Sequence, residues 1–339
     1  MIDPDGRAES DGEGKTGNDS ETESDGEAGN DREASFDVVV VGAGPAGLSA
    51  ALNLVRARRR TLILDSNRPR NAVTLASHGF LTRDGVSPMD LRALGRDELA
   101  AYPEATFRKT EVTGIVADGD GFVVTDRLGE SRARSVLITT GLTEKLPPLP
   151  GLRTFYGTSI HSCVACDAYE YADRPIGLLG ETDDLAERAI HLSQWSRDLI
   201  VFTNAVGFVS EADEARLDRL GIRVDRRAVQ DVAGDRNGLT GVLLANGETV
   251  PRKGLFVRPI WSTSLGYADA LNLTVDADGL LVVDAEGRTS IAGIYAAGDS
   301  TPPGPQQLIV AAGAGGRAAA AINGDLQASE LAADPLPTA

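Results

Sequence analysis

At 339 residues the chain is too long for one average domain and suits two, and 42% hydrophobic residues are enough for sizeable cores. A formal charge of −17 with only 5% aromatic residues excludes nucleic acid and anionic membrane surfaces as partners, because like charge repels both and few rings are available to stack on bases. No run of about 18 apolar residues occurs, so no transmembrane helix is expected.

The opening, MIDPDGRAES, has neither the basic nor the apolar region of an export signal. Residues 1–35 carry twelve Asp and Glu against three Lys and Arg, with almost no apolar side chains. Such a segment cannot bury enough surface to offset the entropy of ordering, and a disordered acidic tail is expected. Four of the 33 basic residues are Lys. An acidic, Lys-poor composition suits a halophilic, salt-rich cytoplasm, and a GC-rich genome produces the same bias.

Order is expected to begin at FDVVVVGAGPAGLSAALNLVRARRRTLILDS. Val38–Val41, with Phe36 nearby, is a short apolar run of the kind that forms a buried parallel strand. A Gly-rich turn follows, then a small-residue helix from about Pro45 to Arg58, then a strand from Thr61 to Leu64 ending in Asp65. Gly42, Gly44 and Gly47 form a GxGxxG between a strand and a helix, with an acid at the end of the next strand. Gly42 permits the tight turn, Gly44 lets the backbone approach a pyrophosphate, and Gly47 lets helix and strand pack closely. Pro45 and Ala46 open the helix over that pyrophosphate, and Asp65 would accept hydrogen bonds from an adenosine ribose. A ligand-free glycine turn is the plain alternative, and the three contextual matches weigh against it.

Residues 107–140 read as several short strands with turns at Asp118–Gly121 and Leu128–Glu130. From Pro175 a second αβ pattern begins: PIGLLG as strand, DDLAERAIHLSQWS as helix, DLIVFTN as strand. Residues 239–257 read as a hairpin turning at Asn246-Gly247, and the chain closes with strand IAGIYAAGD and a helix from about Gln307 to Ile322.

Between the two αβ patterns stands HSCVACDAYE, which holds the only two cysteines, Cys163 and Cys166. In a chain without an export signal, such a pair points to the cytoplasm and to redox or metal chemistry rather than a structural cross-link. A zinc site needs about four ligands. With no second CxxC and His161 as the only nearby histidine, no metal is expected. Two inert core cysteines are the other plain alternative. At the start of a helix, a CxxC makes a reducible disulfide with one thiol of lowered pKa.

Several segments carry a family resemblance. TSIAGIYAAGDS, with Gly298-Asp299 closing a strand, looks like the late FAD-contacting motif of flavoproteins with two dinucleotide-binding modules. Gly141, in LITTGLTEKLPPLPG, sits in a segment similar to that family's strand-and-crossover motif. With the GxGxxG and CVACD, these residues resemble the low-molecular-weight thioredoxin reductase family of pyridine nucleotide-disulfide oxidoreductases, over roughly residues 36–325. The resemblance implies an α/β protein of two Rossmann-like, three-layer dinucleotide-binding domains, the second inserted in the first. Residues 36–143 and 259–330 would bind FAD, and residues 144–258 would form an NAD(P)H-binding-like domain carrying the cysteines. It implies that Asp299 holds the flavin ribitol and that Gln306 or Gln307, with the last helix, lies near the isoalloxazine. It also implies that Cys166 approaches the flavin with Cys163 as its partner, and that Asp167 donates a proton to a departing thiolate. His78, in SHGFLTRDG, falls where the family chain passes near the flavin. His161 falls beside the cysteine pair. For each, a structural histidine is the plain alternative. A homodimer and a thioredoxin-like partner follow from the same resemblance.

The sequence departs from the family pattern in the middle region. A GxGxxA/G and basic residues are expected there for NADPH. The chain has Gly180-Glu181-Thr182-Asp183-Asp184-Leu185, with Thr182 and Leu185 at the second and third glycine positions, and Thr203-Asn204 where arginines would stand. The carboxylates of Glu181, Asp183 and Asp184 would repel a phosphate. NADPH binding is therefore doubtful. The expected activity is an FAD-dependent thiol–disulfide oxidoreductase, acting as a dithiol oxidase with oxygen or as a ferredoxin-linked thioredoxin reductase. A small dithiol or disulfide is the other candidate substrate. An NADPH-dependent thioredoxin reductase and a non-enzymatic flavin redox sensor are the alternatives.

Overall fold

The structure, a computed structural model, describes residues 35–333. Residues 1–34 of the expected acidic tail lie outside the described residues, and Ser35 already opens the first strand. That strand, Ser35–Val41, is flanked in parallel by Thr61–Asp65 and Gly129–Ile138. Ala105–Lys109 lies outside Thr61–Asp65. On the other side, Gly121–Asp126 and Val112–Asp118 continue as an antiparallel meander. Late in the chain, Ile294–Ala296 returns to pair with Gly129–Ile138 and completes a seven-stranded sheet. The two neighbouring strands Ser35–Val41 and Thr61–Asp65 are mostly apolar because both of their faces are covered.

Helix Pro45–Arg56 begins with a proline at a position where no backbone donor is needed. Its buried face is made of Ala46, Gly47, Ala50 and Ala51, so the last helix, Leu308–Ala333, can press against it through Gly315, Ala318 and Ala319. A methyl group on Gly315 would collide with the Ala46 backbone. The last helix runs eleven residues beyond the expected end at Ile322. Asn323-Gly324 does not stop it, because tertiary contacts outweigh local propensity. Asn323 accepts from Arg59 Nε (2.8 Å), and Glu330, two turns further on, receives both Arg59 and Arg134.

The chain leaves this sheet along Thr143–Lys145 and comes back along Ile260–Ser262, and these two segments pair antiparallel. Between them lies a second, all-parallel sheet ordered Arg223–Asp225, Leu199–Phe202, Ile176–Leu179, Gly254–Val257 and Ile160–His161. The hairpin expected over residues 239–257 is only partly one. Gly238–Leu244 and Thr249–Pro251 pair around Asn246-Gly247 with Val229–Asp235 alongside, but Gly254–Val257 joins the parallel sheet instead. Its four residues are all fully buried, which a two-stranded ribbon could not provide. Among the described residues no helix is long and apolar enough to cross a membrane.

Candidate functional site

One cavity of about 420 Å³ runs from the Gly42–Ala46 turn past Thr139–Glu144 and Gly298–Asp299 to the cysteine pair. The first turn is shaped by close backbone packing. Gly42 has φ +102°, and a side chain there would meet the Thr139 carbonyl at 2.6 Å. A methyl group on Gly47 would run into the Gly42 carbonyl. Gly47 is the one glycine of the motif that does not line the cavity, as its packing role requires. Gly44 differs: a methyl group there would meet no protein atom within 4 Å, yet the residue lines the cavity. The protein's own packing does not demand a glycine at 44, whereas a ligand against the backbone would. Ser77 Oγ, also lining the cavity, is buried without a hydrogen-bond partner among the described residues. Both observations fit a bound dinucleotide.

Asp65 serves the turn as well as any ribose. Its Oδ1 accepts from Ala43 N (2.9 Å), and its Oδ2 accepts from Asn67 N (3.0 Å) and Arg92 Nη2 (2.5 Å). Arg92 is 2% exposed and also donates to the Ala43 carbonyl (3.0 Å). The turn is thus clamped by an arginine 49 residues away that the sequence motif does not include.

At the far end of the cavity, Gly141, Asp299, Gln306 and Gln307 line the wall together, and Gln307 immediately precedes the last helix. Gly298, with φ +83°, turns the chain beside Ala46. Asp299 accepts from Arg70 Nη2 (2.7 Å), and Arg70 Nη1 donates to Glu144 (2.8 Å). Burial opposes the charge on Arg70, but the flanking Asp299 and Glu144 outweigh it and raise its pKa. Glu144 also accepts from Tyr156 OH (2.5 Å) and Ser162 Oγ (3.2 Å), so an ionic chain leads from Asp299 to the residue before Cys163. Burial, reinforced by Glu144, pushes the Tyr156 hydroxyl well above the usual phenol range. Tyr267, bonded to Thr140 across the cavity rim (3.0 Å), is pushed up to about 12 by burial. Sequence reading missed Arg70, Glu144, Tyr156 and Ser162. Their partners lie up to 229 residues apart, and no local spacing announces them.

Cys163 and Cys166 form a disulfide with a Cα–Cα distance of 5.3 Å, and both line the cavity. The helix expected to start at the pair is a single α-turn, Val164–Asp167, which includes Cys166 and passes into a 3₁₀ turn, Ala168–Tyr171. Tyr171 packs over Gly254, where a side chain would collide with its ring. Cys163 caps the α-turn, its Sγ accepting from Cys166 N at 3.2 Å. Asp167 lies 3.2 Å from His161 Nδ1, and His161 Nε2 meets the Tyr171 hydroxyl at 3.2 Å. His78 also lines the cavity and stands near two carboxylates, Asp84 (3.4 Å) and Glu170 (3.6 Å).

The second turn, after Ile176–Leu179, is built differently. Leu185 is fully buried and fills the space under Gly180 and Gly207. Thr182 Oγ1 donates to Asp184 Oδ1 (2.6 Å), and the Thr182 carbonyl receives Phe208 N (3.1 Å). Asp184 accepts from Arg258 Nε (2.7 Å). Burial disfavours its charge, but Thr182 and Arg258 prevail and hold its pKa below the ordinary value. Glu181 receives Asn204 (2.7 Å), so two of the three carboxylates expected to repel a phosphate have protein partners. Arg226 and Arg227, after the edge strand, are paired to Glu214 and to Asp225 and Glu248. Arg188, on the helix after this turn, reaches the Ser162 carbonyl (3.4 Å), and burial beside Arg258 lowers its pKa.

Comparison with known proteins agrees with this architecture. Residues 36–315 match the family described as pyridine nucleotide-disulphide oxidoreductase. The thioredoxin reductase sirT of Leptosphaeria maculans is 29% identical over 316 residues, covering 88% of this chain and 96% of that protein. A protein of Arthroderma benhamiae named "Probable thioredoxin reductase" is 36% identical over 176 residues, which are half of this chain and 44% of that protein. The crystal structure of HlmI superposes with a TM-score of 0.84 at 36% identity, covering 88% of this chain and 95% of that one. With its disulfide beside a glycine-turn cavity, the chain belongs to the pyridine nucleotide-disulphide oxidoreductase family, as an FAD-dependent disulfide oxidoreductase of thioredoxin-reductase type.

Proposed function

We propose that the chain passes electrons between Cys163–Cys166 and an FAD held along the cavity, without ordinary use of NADPH. The carrying observation is that the disulfide, the Gly42–Ala46 turn and Asp299 line one continuous cavity. Residues 36–143 and 259–330 would hold FAD, and residues 144–258 would carry the cysteines. Gly42, Gly44 and the start of helix Pro45–Arg56 would receive the pyrophosphate, Asp299 the ribitol, and Gln306 or Gln307 the ring system. Bound flavin supplies two-electron exchange with a dithiol. Cys163 and Cys166 carry the electrons on the protein side, and Asp167 protonates the departing sulfur.

The packing of the second turn supports the doubt about NADPH. Thr182 stands at the second glycine position and is bonded to Asp184, Leu185 replaces the third glycine within the helix–strand packing, and Arg226 and Arg227 are paired with their own acids. The external couple is then a thioredoxin-like protein or a small dithiol on one side and oxygen or ferredoxin on the other. A cytoplasmic homodimer is the setting we expect. Relatives named thioredoxin reductase favour a second reading, in which NADPH is the donor despite the altered turn.

Flavin absorbance followed under argon separates the two. Bleaching by dithiothreitol but not by NADPH or NADH is expected. Bleaching by NADPH at micromolar levels would establish the second reading instead.

A further inference from the structure

We infer that Arg188 is the cation that favours the reduced form of the cysteine pair, and so helps set the potential at which Cys163–Cys166 exchanges electrons. The inference rests on the redox reading of that pair. Arg188 lies on helix Leu185–Leu192, in the second αβ unit. Its Nη2 donates to the Ser162 carbonyl (3.4 Å), which belongs to the peptide bond leading into Cys163. Its Nε is buried without a hydrogen-bond partner among the described residues. Asp184, at the start of the same helix, is taken by others: Oδ1 receives Thr182 (2.6 Å) and Oδ2 receives Arg258 (2.7 Å). Arg188, Arg258 and Asp184 therefore carry one positive charge in excess. Burial first, then Arg258, lowers the pKa of Arg188, and Asp184 offsets only part of this. The guanidinium nevertheless stays charged at neutral pH. Holding such a charge half-buried without an acid of its own costs stability.

The other charged groups around the cysteine segment are mostly acids. Asp167 follows Cys166 directly, and Glu170 stands in the next turn. Glu144, bonded to Ser162, shares Arg70 with Asp299, and that trio carries one negative charge in excess. Arg174 lies over the Tyr171 ring, 5.9 Å from its centroid. Acidic surroundings disfavour a thiolate. Arg188 is bonded to the cysteine segment itself and acts against them.

Reduction takes two electrons, breaks the S–S bond and, with one proton taken up, leaves one thiol and one thiolate. The disulfide is neutral and the reduced pair is negative. A fixed cation beside the segment therefore stabilises the reduced form alone. Half-buried, it is screened less than a surface charge. The pair then takes electrons from a dithiol more readily and passes them on less readily. Arg188 acts through its charge and is a positioning residue.

The test equilibrates flavin-loaded protein under argon, at neutral pH, with a series of ratios of reduced to oxidised dithiothreitol. The reagent gives two electrons and two protons as its ring closes; one proton ends on the cysteine thiol and the other in solvent. Acid stops the exchange, and free thiols at Cys163 and Cys166 are blocked and counted by mass. Arg188→Gln should lower the equilibrium constant for reduction about tenfold, which is about 30 mV for a two-electron couple. Arg188→Lys, which keeps the charge, should stay within about threefold of wild type. An unchanged constant in Arg188→Gln would overturn the inference. So would an equal fall in both variants, which assigns the effect to the bond with Ser162 instead of the charge. If Arg188→Gln does not fold, Asp184→Asn carries the test with the opposite sign. Removing that acid should raise the constant about threefold, and an unchanged or lower constant overturns the proposal. Wild type tests the premise separately. A pair that stays oxidised at every ratio, while the dithiol bleaches the flavin, ends the redox reading itself, whatever Arg188 does.

Discussion

The two strand–turn–helix units of this protein begin from the same plan and are packed differently at their turns. In the first, Gly42 and Gly47 are forced by backbone contacts, while Gly44 is left open toward the cavity. In the second, the matching space is filled from within by Leu185, Thr182 and the Thr203–Phe208 segment, and the acidic cluster is tied down by Arg258 and Asn204. The fold of a dinucleotide-binding unit survives such filling because its sheet and helices are held by their own apolar cores. Binding does not survive as easily, since it depends on backbone left deliberately bare.

Substitutions at the first turn should break the comparison most strongly. Gly47→Val forces a side chain into the Gly42 carbonyl and should abolish folding. Gly44→Val should leave the fold intact, as judged by circular dichroism, yet lower the flavin-to-protein ratio at least about tenfold. Equal flavin content in Gly44→Val and wild type would remove the main argument that this turn holds the pyrophosphate.

The second turn allows the converse experiment with a smaller effect. Thr182→Gly with Leu185→Ala reopens the space at a stability cost of about 3 kcal/mol for the lost leucine. The double variant should gain about tenfold in its rate of flavin bleaching by NADPH. No gain would show that steric filling by these two side chains does not limit reaction with NADPH.

The smallest effect concerns how the last helix is tied to the first sheet. Arg59, followed by Arg134, draws the pKa of Glu330 from 4.5 down to about 2. A depressed folded-state pKa stabilises above the ordinary value and loses that contribution as pH falls through the folded one. Glu330→Gln should therefore lower Tm by about 2 °C at neutral pH. The difference should close as pH falls from 4.5 toward about 2. A difference independent of pH would assign the effect to packing instead.

Much of the first turn was legible because its determinants are contiguous. The strand Ser35–Val41, three glycines and Asp65 lie within 31 residues, and the geometry follows from local sterics. The cysteine pair was legible for the same reason. Arg92 was not, since an arginine in a surface-like helix gives no sign that it will be buried against Ala43 and Asp65. Arg70 and Glu144 were invisible for a similar reason, as each finds its partners only when the chain returns to the first sheet. His161 was noticed beside the cysteines, but its contacts with Tyr171 and Phe256 form only once the second sheet is assembled.

By itself the sequence determined the two αβ patterns, the glycine turn, the cysteine spacing and the replacement of two glycine positions by Thr182 and Leu185 in the second turn. Each is written in neighbouring residues, whose backbone geometry and side-chain chemistry are fixed over a few ångströms. Only the tertiary structure decided that Gly254–Val257 belongs to the parallel sheet and that the last helix continues to Ala333. It alone decided, too, that Asp299 is linked through Arg70 and Glu144 to the cysteine segment. Those outcomes rest on burial and ion pairing between distant segments, and such energies arise only when the whole chain has closed around them.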